Sequence, residues 1–305
     1  MLAGMEAASA SHLVRPEILG QLHSLQVAAR AIVEGLRAGA HRSPHKGHSV
    51  DFADHRQYVP GDDLRHLDWK VLGRRDRLVI KRYEAEIDLG CTLAVDGSGS
   101  MAYRGQRAAV DKYRYASLLA ASLAYLVLKQ QDRVGLQLFS ETGLVELAPA
   151  RQGQLDRLCH HLESHRPELG TDAAKGLELL ATPNRRRGLV VLLSDCMAAL
   201  ADLETAIDRL RHRGHDVALI WLLDPDEVDL SVPSVSRFLG LESDGELVAE
   251  PRALRRAYVE QVERHRLGLE QLCLGRKVVF VSCTTDQPPQ IPLNQLLVGL
   301  QHDAR

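Results

Sequence analysis

The chain has 305 residues, 45% of them hydrophobic and 26% charged, and its formal net charge is -2. Such a chain can bury a sizeable core in one large or two modest domains, and its balanced charge gives no field favouring nucleic acid or an anionic membrane. Five cysteines (Cys91, Cys159, Cys196, Cys273 and Cys283) occur without a Cys-x-x-Cys pair, and their odd number argues against a disulfide framework. A reducing cytoplasm is the compartment they imply. Met1 to His12 lacks the basic-then-apolar pattern of a secretory signal. The longest near-apolar run, Tyr115 to Leu128, falls short of the roughly 20 residues a membrane-spanning helix needs.

Apolar residues at helical spacing (Leu19, Leu22, Leu25, Ala28, Ile32, Val33, Leu36), with Pro16 near the start and Gly39 past the end, predict an amphipathic helix over 13–38. The helical period then vanishes. From Gly39 to Lys70 charge, His, Gly and Pro dominate, with Phe52, Tyr58, Leu67 and Trp69 as apolar anchors, and we read this as an ordered arm. Leu78 to Ile87 reads as an extended edge segment, Leu89 to Val95 as a buried strand and Arg107 to Lys129 as a long helix. Val134 to Ser140 and Gly143 to Leu147 read as two strands about a turn, followed by helices over 153–163 and 173–181. Gly188 to Leu193 is a continuous apolar strand of the kind buried in parallel sheets. A helix over 199–213, a strand Val217 to Leu223, a surface excursion Asp224 to Pro233 and a hairpin around Ser243-Asp244-Gly245 follow. A helix over 251–273 and a strand Lys277 to Ser282 end the series.

Alternation of this kind predicts an α/β protein with a doubly wound, mostly parallel sheet and helices on both faces. The expected organisation is an N-terminal helix and extended arm over 1–76, packed on a core domain over 77–305.

The most informative motif is Asp96-Gly97-Ser98-Gly99-Ser100, directly after the strand ending at Val95. One carboxylate and two hydroxyls at a strand mouth offer only oxygen, the ligand type preferred by Mg²⁺, Mn²⁺ and Ca²⁺, and the glycines let the loop turn tightly. In an open α/β sheet ligands collect outside the carboxyl ends of the strands, where strand order reverses. If the order is 3-2-1-4-5-6, the strand beside Asp96 across the switch point is Gly188 to Leu193, and it ends at Ser194-Asp195. Two carboxylates would then face one crevice, and the hydroxyl of Thr171, in Gly170-Thr171-Asp172, would reach it too. Each residue also has a plainer role: Asp96 satisfied by local N–H groups, Thr171 as a helix N-cap, and Asp195 as part of a cap before Ala198. Asp172 reads best as a charge at a helix start.

Asp96-x-Ser98-x-Ser100, Thr171 and Asp195, in that order, resemble the metal-ion-dependent adhesion site of von Willebrand factor A domains. That resemblance implies a von Willebrand factor A-like fold. It also implies that Ser98, Ser100 and Thr171 bind the ion through hydroxyls while Asp96 and Asp195 act largely through water. Neutral hydroxyls leave Mg²⁺ short of negative charge, so the open position favours an Asp or Glu carboxylate from a partner protein.

The arm carries a second resemblance. Gly47 to Phe52, then Arg56-Gln57-Tyr58-Val59-Pro60-Gly61-Asp62-Asp63-Leu64-Arg65-His66-Leu67-Asp68-Trp69, is similar to the signature of a bacterial family, number fifty-eight in the domain-of-unknown-function series. The similarity runs on through Leu78 to Glu86 into the metal loop, and more loosely through Phe238 to Tyr258. It implies a MoxR-type AAA+ ATPase as partner in a chaperone-like system that assembles or activates other proteins. From the residues alone, Asp62, Asp63 and Asp68 alternate with Arg56 and Arg65 closely enough to pair, which would pin the arm whether or not it also faces a partner.

Other clusters carry less. His45, His48, His55 and His66 lack the spacing of a zinc site. His161 and His165 read as a solvated helix face, and Arg185-Arg186-Arg187 as an exposed turn. No nucleophile elbow or phosphate loop occurs, so no enzyme is expected. A haloacid-dehalogenase-like Mg²⁺-dependent phosphatase would also place Asp96 and Asp195 at strand ends, but it wants a second acid where Ser98 stands. A scaffold that binds no ion is the other alternative.

Overall fold

The computed structural model describes residues 14, 24–40, 55–57, 79–81, 90–140, 143–167, 187–197, 199–230, 236–239, 246–249 and 251–303. Thr171, Asp172, the helix expected over 173–181, Trp69 with most of the arm, and the Ser243-Asp244-Gly245 turn lie outside them. The chain forms two compact units, residues 43–88 and residues 1–42 with 89–305. In the smaller unit β1 (His55–Gln57) pairs antiparallel with β2 (Val79–Lys81).

The larger unit is built on six strands: β3 (Gly90–Asp96), β4 (Arg133–Ser140), β5 (Gly143–Ala150), β6 (Gly188–Ser194), β7 (Asp216–Leu223) and β10 (Val279–Thr284). Their spatial order is β10-β7-β6-β3-β4-β5. In order of appearance along the chain this is 3-2-1-4-5-6, the order anticipated. Every pairing is parallel except β4 with β5, which run antiparallel at one edge of the sheet. A separate hairpin pairs β8 (Ser236–Leu239) with β9 (Glu246–Ala249), flanking the anticipated turn.

Helices cover both faces because the central strands are apolar on both. On one side α1 (Leu25–Ala40), α2 (Lys112–Lys129), α3 (Gln154–Ser164) and α7 (Gln290–Asp303) pack with Leu93, Val95, Leu136, Leu138, Val191 and Ile220. On the other, α4 (Leu200–His212) and α6 (Pro251–Gly275) pack with Ala94, Val190, Leu192, Leu219 and Trp221. Successive residues along each strand thus enter opposite cores, the period-two rule of a pleated strand. At the start of the central strands the backbones run very close: a Cβ on Gly188 would stand 2.0 Å from the Gly90 carbonyl oxygen.

Three sequence expectations are corrected. The helix anticipated from Arg107 starts at Lys112, because Asp111 takes the N-cap and accepts the Arg114 N–H at 2.6 Å. The excursion after Asp224 begins as a short helix, α5 (Pro225–Asp229), with Asp224 as its cap in a capping box with Glu227. The chain also carries a helix, α7, that Pro288 and Pro289 just before it and Pro292 and Gly299 within it conceal from a reading by pattern.

Candidate metal centre

The switch point falls between β3 and β6. The connection from β3 runs to β4 on one side and that from β6 to β7 on the other, which opens a crevice at their carboxyl ends. Asp96 ends β3 and is buried. Its Oδ1 accepts the Ser98 N–H at 2.9 Å, and its Oδ2 accepts the Ser194 hydroxyl, at the end of β6, at 2.5 Å. Burial, reinforced by the charge of Asp195, pushes the Asp96 carboxyl up from 3.8 to about 6, although Ser194 and Ser98 stabilise its anion.

Beyond Gly97 the chain turns into a short 3-10 helix, Gly99–Ala102. The Ser98 and Ser100 hydroxyl oxygens lie 2.9 Å apart. Neighbouring ligands on an octahedral Mg²⁺ bonded at about 2.0–2.1 Å stand roughly 2.9 Å from one another, whereas the longer bonds of Ca²⁺ spread them further. The two hydroxyls are hydrogen-bonded to each other at that distance, a spacing that neighbouring ligands of a small hard cation share. Among the described residues no three His, Cys, Asp or Glu side chains gather into a metal-holding group, so a cation here would rest on hydroxyls as much as on carboxylates.

Gly97 is held by neighbours on two sides. Its N–H donates to the Phe139 carbonyl at 2.9 Å, and the His165 ring nitrogen Nε2 lies 3.2 Å from its own carbonyl. A Cβ on Gly97 would stand 2.4 Å from that ring nitrogen, so any side chain here would have to displace the His165 ring. His165 is therefore no solvated-face residue. It caps the end of α3, half-buried against the Tyr113 ring, and backs the metal loop.

The loop after β6 is held as firmly. Cys196 adopts the left-handed conformation, φ 52°, which costs a non-glycine residue about 1–2 kcal/mol. Three bonds fix it there: Cys196 N–H to Ser194 Oγ at 2.9 Å, the Trp221 indole N–H to the Asp195 carbonyl at 2.7 Å, and a 3.0 Å contact between His265 Nε2 and the Cys196 carbonyl. Asp195 does not cap α4, whose N-cap is Ala199. Its carboxylate instead meets Lys112, Nζ to Oδ2 at 2.8 Å, and the same ammonium reaches Glu227 Oε1 at 2.7 Å. Burial disfavours the Lys112 charge, but the two carboxylates outweigh it and hold the ammonium above its usual range.

Behind this triad, residues 105–107 are clipped to α5. Gly105 N–H donates to Asp224 Oδ2 at 2.9 Å and Gln106 N–H to Asp226 Oδ2 at 2.7 Å. Arg107 pairs with Asp226 and Asp229, both at 2.6 Å.

Of the five residues singled out from the sequence, the structure brings together Asp96, Ser98, Ser100 and Asp195; Thr171 lies outside the described residues. Lys112, Glu227, Ser194 and His165 were not anticipated. One signal was present for Lys112: a cation at the first position of a helix opposes the helix dipole, and the helix that follows is otherwise largely apolar.

No described helix is long and apolar enough to cross a membrane. Uncharacterized proteins of Mycobacterium bovis and Mycobacterium tuberculosis are 25% identical over 280 residues, 89% of this chain and 86% of theirs. The uncharacterized protein YeaD of Bacillus subtilis is 28% identical over 193 residues, 60% of this chain and 44% of its own. Among solved structures, the conserved hypothetical protein BatB of Bacteroides thetaiotaomicron shares 15% identity over 70% of this chain and 99% of its own, with a TM-score of 0.45. The VWA domain of SpRpn10 shares 12% over 68% of this chain and 94% of its own, with a TM-score of 0.41. The family model described as protein of unknown function DUF58 matches residues 54–268, from the arm through both loops of the crevice and into α6, and the chain belongs to that family.

Proposed function

We propose that the chain is a non-enzymatic protein-interaction module that docks its partner through a divalent ion, Mg²⁺ or Mn²⁺. Ser98, Ser100 and Thr171 would hold the ion, with Asp96 and Asp195 in support. The observation that carries this reading is the pair of hydroxyls at octahedral spacing beside two buried carboxylates, at the switch point of the sheet. When bound, the ion supplies an electrophilic seat for an Asp or Glu carboxylate of the partner.

The chain's own residues orient and exclude. Ser194 and the Ser98 N–H fix the Asp96 carboxylate in place, the Trp221 indole and the buried pair with Lys112 fix Asp195, and His165 supports the loop from behind. Both Asp96 oxygens are engaged and Ser98 occupies the position a phosphatase needs for its second acid, which favours docking over phosphoryl transfer. A MoxR-type AAA+ ATPase is the partner implied by the resemblance of the arm, in assembly or activation of other proteins.

The test is capture from bacterial extract on the immobilised chain, with Mg²⁺ and with chelator, beside Asp96→Ala and Thr171→Val. Capture of an AAA+ ATPase that requires the ion and is lost in both variants supports the reading. Equal capture under all four conditions overturns it.

A further inference from the structure

In the docking scheme above Lys112 does no more than hold Asp195, yet it places a positive charge 2.8 Å from that carboxylate. Its side chain has no exposed surface, and its ammonium sits between Asp195, 2% exposed, and Glu227, 16% exposed. It cannot withdraw to solvent, because Asp111 starts the helix beneath it and the segment before that is clipped to α5 through Gly105, Gln106 and Arg107. Stability alone explains this poorly. A buried ion pair is often no more stabilising than apolar residues of similar volume, and the helix dipole works against a lysine at this position.

We propose that Lys112 is a built-in counter-cation for the metal centre: it neutralises Asp195 while no ion is bound and lowers the affinity for the ion, so that the partner's carboxylate is needed to complete the site. The proposal rests on the ion-docking reading above. Asp195 and Glu227 place two carboxylates on one ammonium, and a divalent ion entering beside Asp195 meets a fixed like charge that offsets part of that carboxylate's attraction. Glu227 sets the balance by drawing the ammonium partly away from Asp195. An incoming carboxylate adds the negative charge that Lys112 cancels, which couples ion binding to partner binding.

The experiment is a Mn²⁺ titration of the full chain, of Lys112→Met and of Glu227→Gln, read by the electron paramagnetic resonance signal of free Mn²⁺ and by Trp221 fluorescence. Trp221 is a suitable reporter because its indole donates to the Asp195 carbonyl. Loss of the ammonium should tighten Mn²⁺ binding by about tenfold or more, and should lower the melting temperature in chelator with recovery on saturation by Mn²⁺. Glu227→Gln leaves the ammonium to Asp195 alone and should weaken binding by about threefold or more.

A merely structural lysine would make both variants bind more weakly, and weaker or unchanged binding in Lys112→Met overturns the proposal while leaving the ion site standing. If Lys112→Met does not fold, Lys112→Gln takes its place: tighter binding supports the proposal and weaker or unchanged binding overturns it, as does unchanged or tighter binding in Glu227→Gln. If the unaltered chain and both variants bind no Mn²⁺ at millimolar concentration, the ion-docking reading fails and this proposal fails with it.

Discussion

The hydroxyl of Ser194 donates to Asp96 Oδ2 at 2.5 Å, joining the last residue of β6 to the last residue of β3 by a side-chain bond across the switch point. The same hydroxyl accepts the Cys196 N–H, so a single side chain aligns both walls of the crevice. Ser194→Ala would leave a buried carboxylate oxygen and a buried N–H without their partner. The expected loss is about 1–3 kcal/mol in urea denaturation, together with weaker Mg²⁺ binding by calorimetry.

Asp96 makes the metal-free protein sensitive to pH in a defined direction. Its folded-state value, about 6, lies above the ordinary 3.8, so between those values the folded chain holds a proton that the unfolded chain releases. Stability conferred by this proton is present at the acid end and is lost as pH rises through about 6. In chelator, Asp96→Asn should therefore be more stable than the unaltered chain at pH 7, by on the order of 3 kcal/mol at most, and the difference should vanish below pH 4. Added Mg²⁺ should raise the melting temperature of the unaltered chain alone.

Gly97→Ala tests the support behind the loop. The new Cβ would meet His165 Nε2 at 2.4 Å and the Phe139 carbonyl oxygen at 3.1 Å, a clash expected to cost about 1–3 kcal/mol and to weaken ion binding. His165→Ala in the same chain removes the nearer obstacle and should restore part of both, as a double-mutant cycle would measure.

Asp111→Ala removes the cap of α2, whose first residue is Lys112. The expected loss is about 1 kcal/mol in denaturant, and ion binding should change little if Lys112 keeps its two carboxylates.

Much of this arrangement was legible before any coordinates. The apolar runs at β3, β6 and β7 stand out because parallel strands buried on both faces lose the alternation of surface strands. Asp96, Ser98, Ser100 and Asp195 were legible because a switch point gathers strand ends, and strand ends can be read from where apolar runs stop. Lys112 and Glu227 were not, since their partners are 83 and 115 residues distant from the lysine and no local period records such a meeting. His165 was misassigned because helical spacing places it on the surface of α3, whereas the helix ends at Ser164 and the next residue turns inward. The helix α7 was missed for a local reason: proline and glycine lower helix propensity, while packing against the first core overrides it through Leu293 and Leu296.

The position of β3 has a consequence for how the chain is made. One edge of this strand pairs with β4, close behind it in the chain, but the other waits for β6, which follows almost a hundred residues later. During synthesis from the N-terminus, the half-sheet of β3, β4 and β5 forms with an apolar strand edge still open, a template on which a second nascent chain can pair. Arrival of β6 closes that edge and brings Ser194 to Asp96 in the same event. The crevice is thus the last part of this half-sheet to exist, and a chain truncated before residue 188 should aggregate and be unable to present it.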